Sequence, residues 1–333
     1  MSDVAGAGGS EDALIARMRE RLRGVPGERL LVGIGDDAAV WQPARGNRSV
    51  ITTDALVEGV HFTRVAMSAR DAGHRALAAN LSDIAAMGAR PVLATIALGF
   101  PPDTEIAWLL EAYDGIAALA KRARCAIAGG DLTRAPAITF AITVVGEVRA
   151  SNLKTRAGAL PGDVVAVTGP LGASRAGLRL AVDRPDLAGE PALAEALAAY
   201  RTPEPRLREG RWLAASRNVR AMMDTSDGLS TDLARFCAAS GAGATIETVP
   251  VHDAAHRVAA RTGDDAERWA LDGGEDFELL VSVNKRAFGH LAARFRAHTG
   301  RELLRVGTIG AEPGVRRADG SAVRPGGWDH LRG

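Results

Sequence analysis

The stretch VRAMMDTSDGLSTDLARFCAAS, residues 219–240, decides how this chain is read. An apolar run ends in Ala221, Met222 and Met223 and meets Asp224, Thr225, Ser226, Asp227 and Gly228. From Leu229 the spacing of apolar residues becomes helical, so the stretch predicts a buried strand, a tight turn and an amphipathic helix. Two carboxylates three residues apart then face the start of a helix. Aspartate and serine accept hydrogen bonds from helix N–H groups and glycine relaxes the backbone, so a capped turn accounts for this stretch taken alone.

The rest of the chain gives the turn company. Helical periodicity runs from Glu11 to Arg23, followed by a short strand in RLLVGIGDDAAV and an alternating strand, SVITTD, ending at Asp54. Ser68 and Asp71 make a capping box for a helix stopped by Gly88 and Pro91. Then come a strand (VLATIALGF), a helix (Asp103 to Arg124), a strand closing on a glycine turn (CAIAGGD) and a long strand (AITFAITVVGEV). LPGD marks a turn within the linker Ser151 to Asp163. The second half repeats this texture with strands at VVAVTGP, VRAMMD, ATIETVP, FELLVSV and RELLRVGTIG, and helices at Leu229 to Ser240 and Lys285 to His298. The order predicts an α+β chain of two domains, residues 1–152 and 153–333, with residues 1–10 as a loose polar tail.

Composition narrows the class. The 333 residues suffice for two cores, and 47% hydrophobic with 24% charged residues is ordinary for a globular protein. A net charge of +1 creates no general attraction for nucleic acid or anionic membrane. The N-terminus has no basic start or apolar run of a signal peptide, and no stretch approaches the roughly 20 apolar residues of a membrane span. Cys125 and Cys237 are far apart in apolar surroundings, which predicts reduced core thiols and a cytoplasmic protein.

The acidic residues carry the chemistry. Asp54, Asp131 and Asp224 each follow an apolar strand, Asp36 and Asp37 follow Gly33 and Gly35, Asp83 lies near a helix end, and Glu275 and Asp276 follow Gly273 and Gly274. Carboxylates at sheet ends beside glycines stand where α/β-type proteins bind ligands. Clustered carboxylates repel unless cations offset them, and all-oxygen donors select Mg²⁺ or a similar hard ion. Several such ions suit a polyphosphate. No GxxxxGK[ST], strand-linked GxGxxG or protein-kinase motif set occurs. A nucleotide would therefore be gripped through metal rather than through a Walker lysine.

The ordered blocks GIGDDAAV, TTDALVEGVHF, NLSDIAAMGARP, AGGDLTR, DTSDGLSTDL and GGEDFELL resemble the thiamine-monophosphate kinase family. That family lies in the superfamily of aminoimidazole ribonucleotide synthetase and selenophosphate synthetase. The match runs from about Gly33 to GWDHL near the terminus. The resemblance implies ATP-dependent phosphorylation of thiamine monophosphate to thiamine diphosphate. Such an acceptor, already mostly dianionic at neutral pH, and motifs that place no histidine or cysteine as a phosphoryl carrier predict direct in-line transfer without a dedicated catalytic base. The resemblance also implies Asp36, Thr52, Thr53, Asp54, Asp83, Asp131, Asp224 and Asp227 as ligands of several Mg²⁺ ions. Gly130, Asp131, Arg156 and Ser226 resemble nucleotide contacts, and His61, Glu275 and Trp328 resemble substrate contacts. KRARCAIAGG lacks a tyrosine that some relatives carry near the nucleotide.

The resemblance further implies metal and ATP on the N-terminal half, whose mixed sheet pairs with a second copy to form a barrel in a homodimer. The C-terminal half is expected as an α/β sandwich. Two rivals share the motifs: a superfamily enzyme with another acceptor, and a non-catalytic Mg²⁺–nucleotide sensor. VEGVHF and GWDHL favour the thiamine branch, and a sensor needs fewer acidic ligands.

Overall fold

The computed structural model describes residues 11–34 and 39–328. The chain is a two-domain α+β fold with mixed sheets, divided into one unit of residues 1–81 and 91–147 and a second of residues 82–90 and 148–333.

The first unit opens with α1 (Glu11–Arg21) and a small antiparallel pair, β1 (Leu30–Val32) and β2 (Val40–Trp41). β3 (Asn47–Val57), α2 (Ala69–Ala86, whose residues from Ser82 onward are counted in the second unit), β4 (Arg90–Phe100), α3 (Ile106–Ala123), β5 (Ala126–Arg134) and β6 (Thr139–Arg149) follow. The backbone N–H of Asp71 donates to the Ser68 hydroxyl at 3.2 Å, the cap that the sequence predicts. The four long strands form one sheet in the order β3-β6-β4-β5, with β4 and β5 parallel. Glu147 on β6 ties the small hairpin to this sheet. It accepts two bonds from the Arg29 guanidinium at 3.2 and 2.8 Å and one from the Ala44 N–H at 2.8 Å.

Two strand ends differ from expectation. β3 does not stop at Asp54 but runs on to Val57, with Leu56 buried beyond the exposed Asp54. β5 does not end at its glycine pair either. Pairing with β4 carries it through Ile96 opposite Gly130 and Ala97 opposite Asp131, as far as Arg134. A Cβ on Gly130 would lie 1.9 Å from the Ile96 carbonyl oxygen, so the missing side chain lets the two strands meet.

The second unit contains β7 (Val164–Val167), α4 (Ala173–Leu178), α5 (Ala194–Arg201) and α6 (Leu207–Ala214). β8 (Val219–Asp224), α7 (Leu229–Ser240), β9 (Gly243–Ile246), α8 (Asp253–Thr262) and α9 (Ala266–Asp272) come next. β10 (Leu279–Val283), α10 (Phe288–Thr299), β11 (Leu304–Gly310) and β12 (Gly314–Arg317) complete it. The six strands lie in the order β12-β9-β11-β7-β10-β8, all antiparallel except β12 on β9.

Both faces of this sheet are covered. Val165, Val167, Met223 and Leu280 pack with Leu229, Leu233, Phe236 and Cys237 of α7. Ala166, Met222, Leu279 and Val281 face the other way, against Leu213 of α6, Leu291 and Phe295 of α10, and Ala85 and Ala86 at the end of α2. Successive residues alternate between the two cores because strand side chains have period two. Full burial of such strands explains why VVAV reads as an unbroken apolar run and why the one polar residue of LLVSV, Ser282, donates its hydroxyl to Asp163 Oδ2 at 2.8 Å.

Candidate active site

The second unit places the turn of residues 224–228 between the end of β8 and the start of α7. Asp224 is 6% exposed and accepts a hydrogen bond from the Ser82 hydroxyl at 2.6 Å. Burial first, and then the charge of Asp83, push its carboxyl up to about 8 against the opposing Ser82 bond. Asp83 stands in the last turn of α2, which carries no basic residue, so the helix end adds further negative potential. A buried carboxylate beside another carboxylate, with oxygen donors around it, fits a hard divalent cation.

The rest of the turn is held from several sides. The N–H groups of Ser226 and Asp227 both donate to Asp232 Oδ2 at 3.0 Å. Burial first, and then the charge of Asp227, raise the Asp232 carboxyl to about 7 although both backbone bonds and Arg235 oppose the shift. The Asp227 carboxylate accepts from the Arg235 guanidinium. The Ser226 carbonyl accepts from the Glu275 N–H at 2.8 Å, and the Asp227 carbonyl from the Trp328 N–H at 3.3 Å. Glu275 and Phe277 have φ of 66° and 50°, a left-handed backbone that bends this segment against the turn. Asp276 beside them accepts from the N–H groups of Gly172 and Ser174 at 2.7 and 3.1 Å, where α4 begins. Burial moves its carboxyl up to about 7 despite these two bonds.

Asp83, Asp224, Ser226, Asp227, Glu275 and Trp328 thus belong to one neighbourhood of contacts, and Trp328 is 47% exposed. Arg156 stands apart. Its carbonyl accepts from Ser240 Oγ at the far end of α7, about 18 Å along the helix from the turn.

The first unit distributes its candidates differently. Thr52 and Asp54 share one face of β3 while Thr53 points to the other, as period two requires. The Thr53 hydroxyl donates to the Ile142 carbonyl at 3.1 Å and accepts from Thr143 Oγ1 at 3.1 Å, a cross-strand pair. Asp131 and Gly130 are exposed on β5, at the opposite edge of the sheet from β3, about 14 Å away across three strand spacings. Asp54 and Asp131 are therefore strand-interior residues, and among these three aspartates Asp224 alone ends its strand. His61 Nδ1 accepts from the Val57 N–H at 3.1 Å, so its neutral ring carries the proton on Nε2. Asp36 and its neighbour Asp37 lie outside the described residues. Among the described residues, no group of three or more histidine, cysteine, aspartate or glutamate side chains stands ready to hold a metal ion.

Sequence reasoning missed Ser82, which hydrogen-bonds Asp224, and Asp232, which organises the turn. Both lie inside the quoted blocks NLSDIAAMGARP and DTSDGLSTDL, and each looked like an ordinary helix residue because its partner is distant or local backbone.

Comparison with known proteins agrees with this anatomy. Residues 35–148 match the AIR synthase related protein N-terminal domain, and residues 161–319 match the corresponding C-terminal domain. The chain is 40% identical over 258 residues to a curated thiamine-monophosphate kinase of Synechococcus elongatus, covering 75% of this chain and 76% of that one. The crystal structure of thiamine-monophosphate kinase from Stenotrophomonas maltophilia K279a superposes with a TM-score of 0.83 at 37% identity, over 94% of this chain and 98% of that one. A further solved structure, AaThiL complexed with AMPPCP and TMP, gives a TM-score of 0.78 at 30% identity over 96% of each chain. The chain belongs to the AIR synthase related proteins and, within them, to the thiamine-monophosphate kinase family.

Proposed function

We propose that this protein transfers the γ-phosphoryl group of ATP to thiamine monophosphate, yielding thiamine diphosphate and ADP. The observation that carries the reading is the buried Asp224 carboxylate beside Asp83, whose charges call for a divalent cation. The relative that holds AMPPCP and TMP together supplies the natural pairing of donor and acceptor.

Mg²⁺ is the proposed ion. In the second unit Asp83, Asp224 and Asp227 would hold it, with Asp227 exchanging its Arg235 contact for metal. In the first unit the proposed ligands are Asp36, Thr52, Thr53, Asp54 and Asp131. When bound, the ion neutralises phosphate charge and polarises the phosphoryl group. Gly130, Asp131, Arg156 and Ser226 are assigned to the nucleotide, and His61, Glu275 and Trp328 to the thiamine end.

Transfer is in line and direct. The acceptor phosphate has a second pKa near about 6, so it is largely dianionic at neutral pH and needs no base to remove a proton. The work of the chain is to orient two anions and to keep the buried carboxylates where charge must be balanced.

Metal and ATP are assigned largely to residues 1–152, with Arg156, Asp224, Ser226 and Asp227 contributed by the α/β half, residues 153–333. β3 and β5 form the two edges of the four-stranded sheet, and Ile51 on β3 is 69% exposed. Both features support pairing with a second copy into a barrel, hence a homodimer. The buried Cys125 and Cys237, neither in a disulfide, support a cytoplasmic setting, and among the described residues no helix is long and apolar enough to cross a membrane.

The test is formation of thiamine diphosphate by the purified protein from ATP, Mg²⁺ and thiamine monophosphate. ATP binding without product would favour a sensor, and product only with another acceptor would move the chain to a different branch.

A further inference from the structure

The C-terminal segment that carries Trp328 is docked on the first turn of α7 by bonds that the sequence motifs did not assign. Ser230 Oγ donates to Asp272 Oδ1 at 2.7 Å and in turn accepts from the Gly326 N–H at 3.1 Å. Thr231 Oγ1 accepts from the Gly327 N–H at 3.0 Å. The Trp328 N–H reaches the Asp227 carbonyl at 3.3 Å. Three successive amides are thereby fixed on two hydroxyls and one turn carbonyl.

Space enforces the same register. A Cβ on Gly327 would lie 1.8 Å from the Asp227 carbonyl oxygen and 2.7 Å from Thr231 Oγ1. One on Gly326 would lie 2.7 Å from the Asp272 carboxylate. Both glycines are needed for this approach, irrespective of any ligand.

The turn beneath is pinned as well. The peptide joining Ser226 to Asp227 gives its N–H to Asp232 and receives the Glu275 N–H on its carbonyl. Asp232 is fully buried, so this peptide plane cannot rotate without breaking an interior bond. Glu275 and Trp328, from distant parts of the sequence, are therefore both indexed to one turn.

We propose that Ser230, Thr231 and Asp232 are positioning residues for the acceptor: they set where Trp328 and Glu275 stand relative to the Asp224–Asp227 turn. The inference rests on the reading of Trp328 and Glu275 as thiamine-phosphate contacts. Misplacing them weakens acceptor binding and leaves ATP binding and the transfer step in place.

Thr231→Val removes one hydroxyl at nearly constant volume, Thr231→Ser restores it, and Gly327→Ala displaces the segment by setting a methyl against the Asp227 carbonyl oxygen and Thr231 Oγ1. Steady-state kinetics and hydrogen exchange of residues 326–328 are measured on each full-length variant. Thr231→Val and Gly327→Ala are expected to speed exchange in that segment and to raise KM for thiamine monophosphate about fivefold to tenfold, the loss of roughly one hydrogen bond. KM for ATP and kcat should stay within about twofold of the parent, and Thr231→Ser should return KM to the parental value. Faster exchange with a parental KM overturns the inference, because docking would then not place the acceptor contact. Unchanged exchange overturns it too, because the hydroxyls would then not hold the segment. A parent inactive on thiamine monophosphate defeats the underlying substrate reading itself, an outcome that the variants cannot produce.

Discussion

The two units carry their acidic residues in opposite ways. In the second, Asp224 and Asp232 are buried, and the peptide groups around them are bonded to α7, to Glu275 and to Trp328. In the first, Asp54 and Asp131 stand exposed inside strands at opposite edges of one sheet. Burial makes a carboxylate's purpose visible, since an interior charge without a cation is costly and calls for one. An exposed aspartate on a strand edge makes no such demand.

The sharpest way to break this comparison is to neutralise one member of each set. Asp224→Asn should lower the rate of thiamine diphosphate formation on the order of a thousandfold, by loss of charge stabilisation at the phosphoryl group. Asp54→Asn should cost on the order of a hundredfold or more while leaving the melting temperature unchanged, because the residue is exposed. Near-normal turnover of Asp54→Asn at limiting Mg²⁺ would make the first-unit set structural.

Gly130→Ala sharpens the first-unit side. Its Cβ would meet the Ile96 carbonyl oxygen at 1.9 Å, so a stability loss of about 1–3 kcal/mol is expected in chemical denaturation. A variant of parental stability with impaired ATP affinity would show that the glycine serves nucleotide rather than the strand pair.

The second unit should also respond to pH. The carboxyls of Asp224, Asp232 and Asp276 are raised to about 8, 7 and 7. A raised folded-state pKa means that the native state keeps protons which the unfolded chain, titrating near about 4, has lost. The stability gained from this retention is full below the unfolded value and shrinks as pH rises. Metal-free protein should therefore lose stability from about pH 5 to about pH 8, measured by denaturation in chelator, and Mg²⁺ should flatten the curve. A metal-free profile that rises across this range contradicts the assignment.

The smallest effect is expected at the substrate end. Trp328→Ala removes an indole face able to stack on a cationic ring, worth about 0.5–2 kcal/mol, so KM for thiamine monophosphate should rise about twofold to thirtyfold. ATP affinity and thermal stability should be nearly parental. A loss of stability with unaltered KM would make Trp328 a packing anchor.

How far the fold could be read depended on what each residue's partners were. α7 spans Leu229–Ser240 as its sequence predicts, because Leu229, Leu233, Phe236 and Cys237 repeat at helical spacing and face one core. β8 ends at Asp224 for the same local reason. The pair Gly129–Gly130 predicts an early turn in β5, since glycines suggest a turn until the neighbouring strand that needs the small size of Gly130 is known. β12 escaped notice because four residues with two arginines carry no alternating pattern and gain their pairing from β9. Among the site residues, motif blocks named Asp224 and Asp83, yet the roles of Ser82 and Asp232 depend on bonds that emerge only when distant segments meet.

The second unit is assembled from two separated pieces of chain, residues 82–90 and 148–333. During synthesis the short piece leaves the ribosome first, and Ser82 precedes the Asp224 it will bond by 142 positions. At about 5–20 residues per second, that delay is on the order of ten seconds. Ala85 and Ala86, which finish in an interior formed with α6 and α10, must wait as long for their cover. A truncation beginning at residue 148 would lack this plug altogether, so the second unit cannot be obtained by a single cut. Nascent chains stalled before residue 224 should accordingly bind hydrophobic-segment chaperones at residues 82–90 and release them once β8 and α10 have emerged.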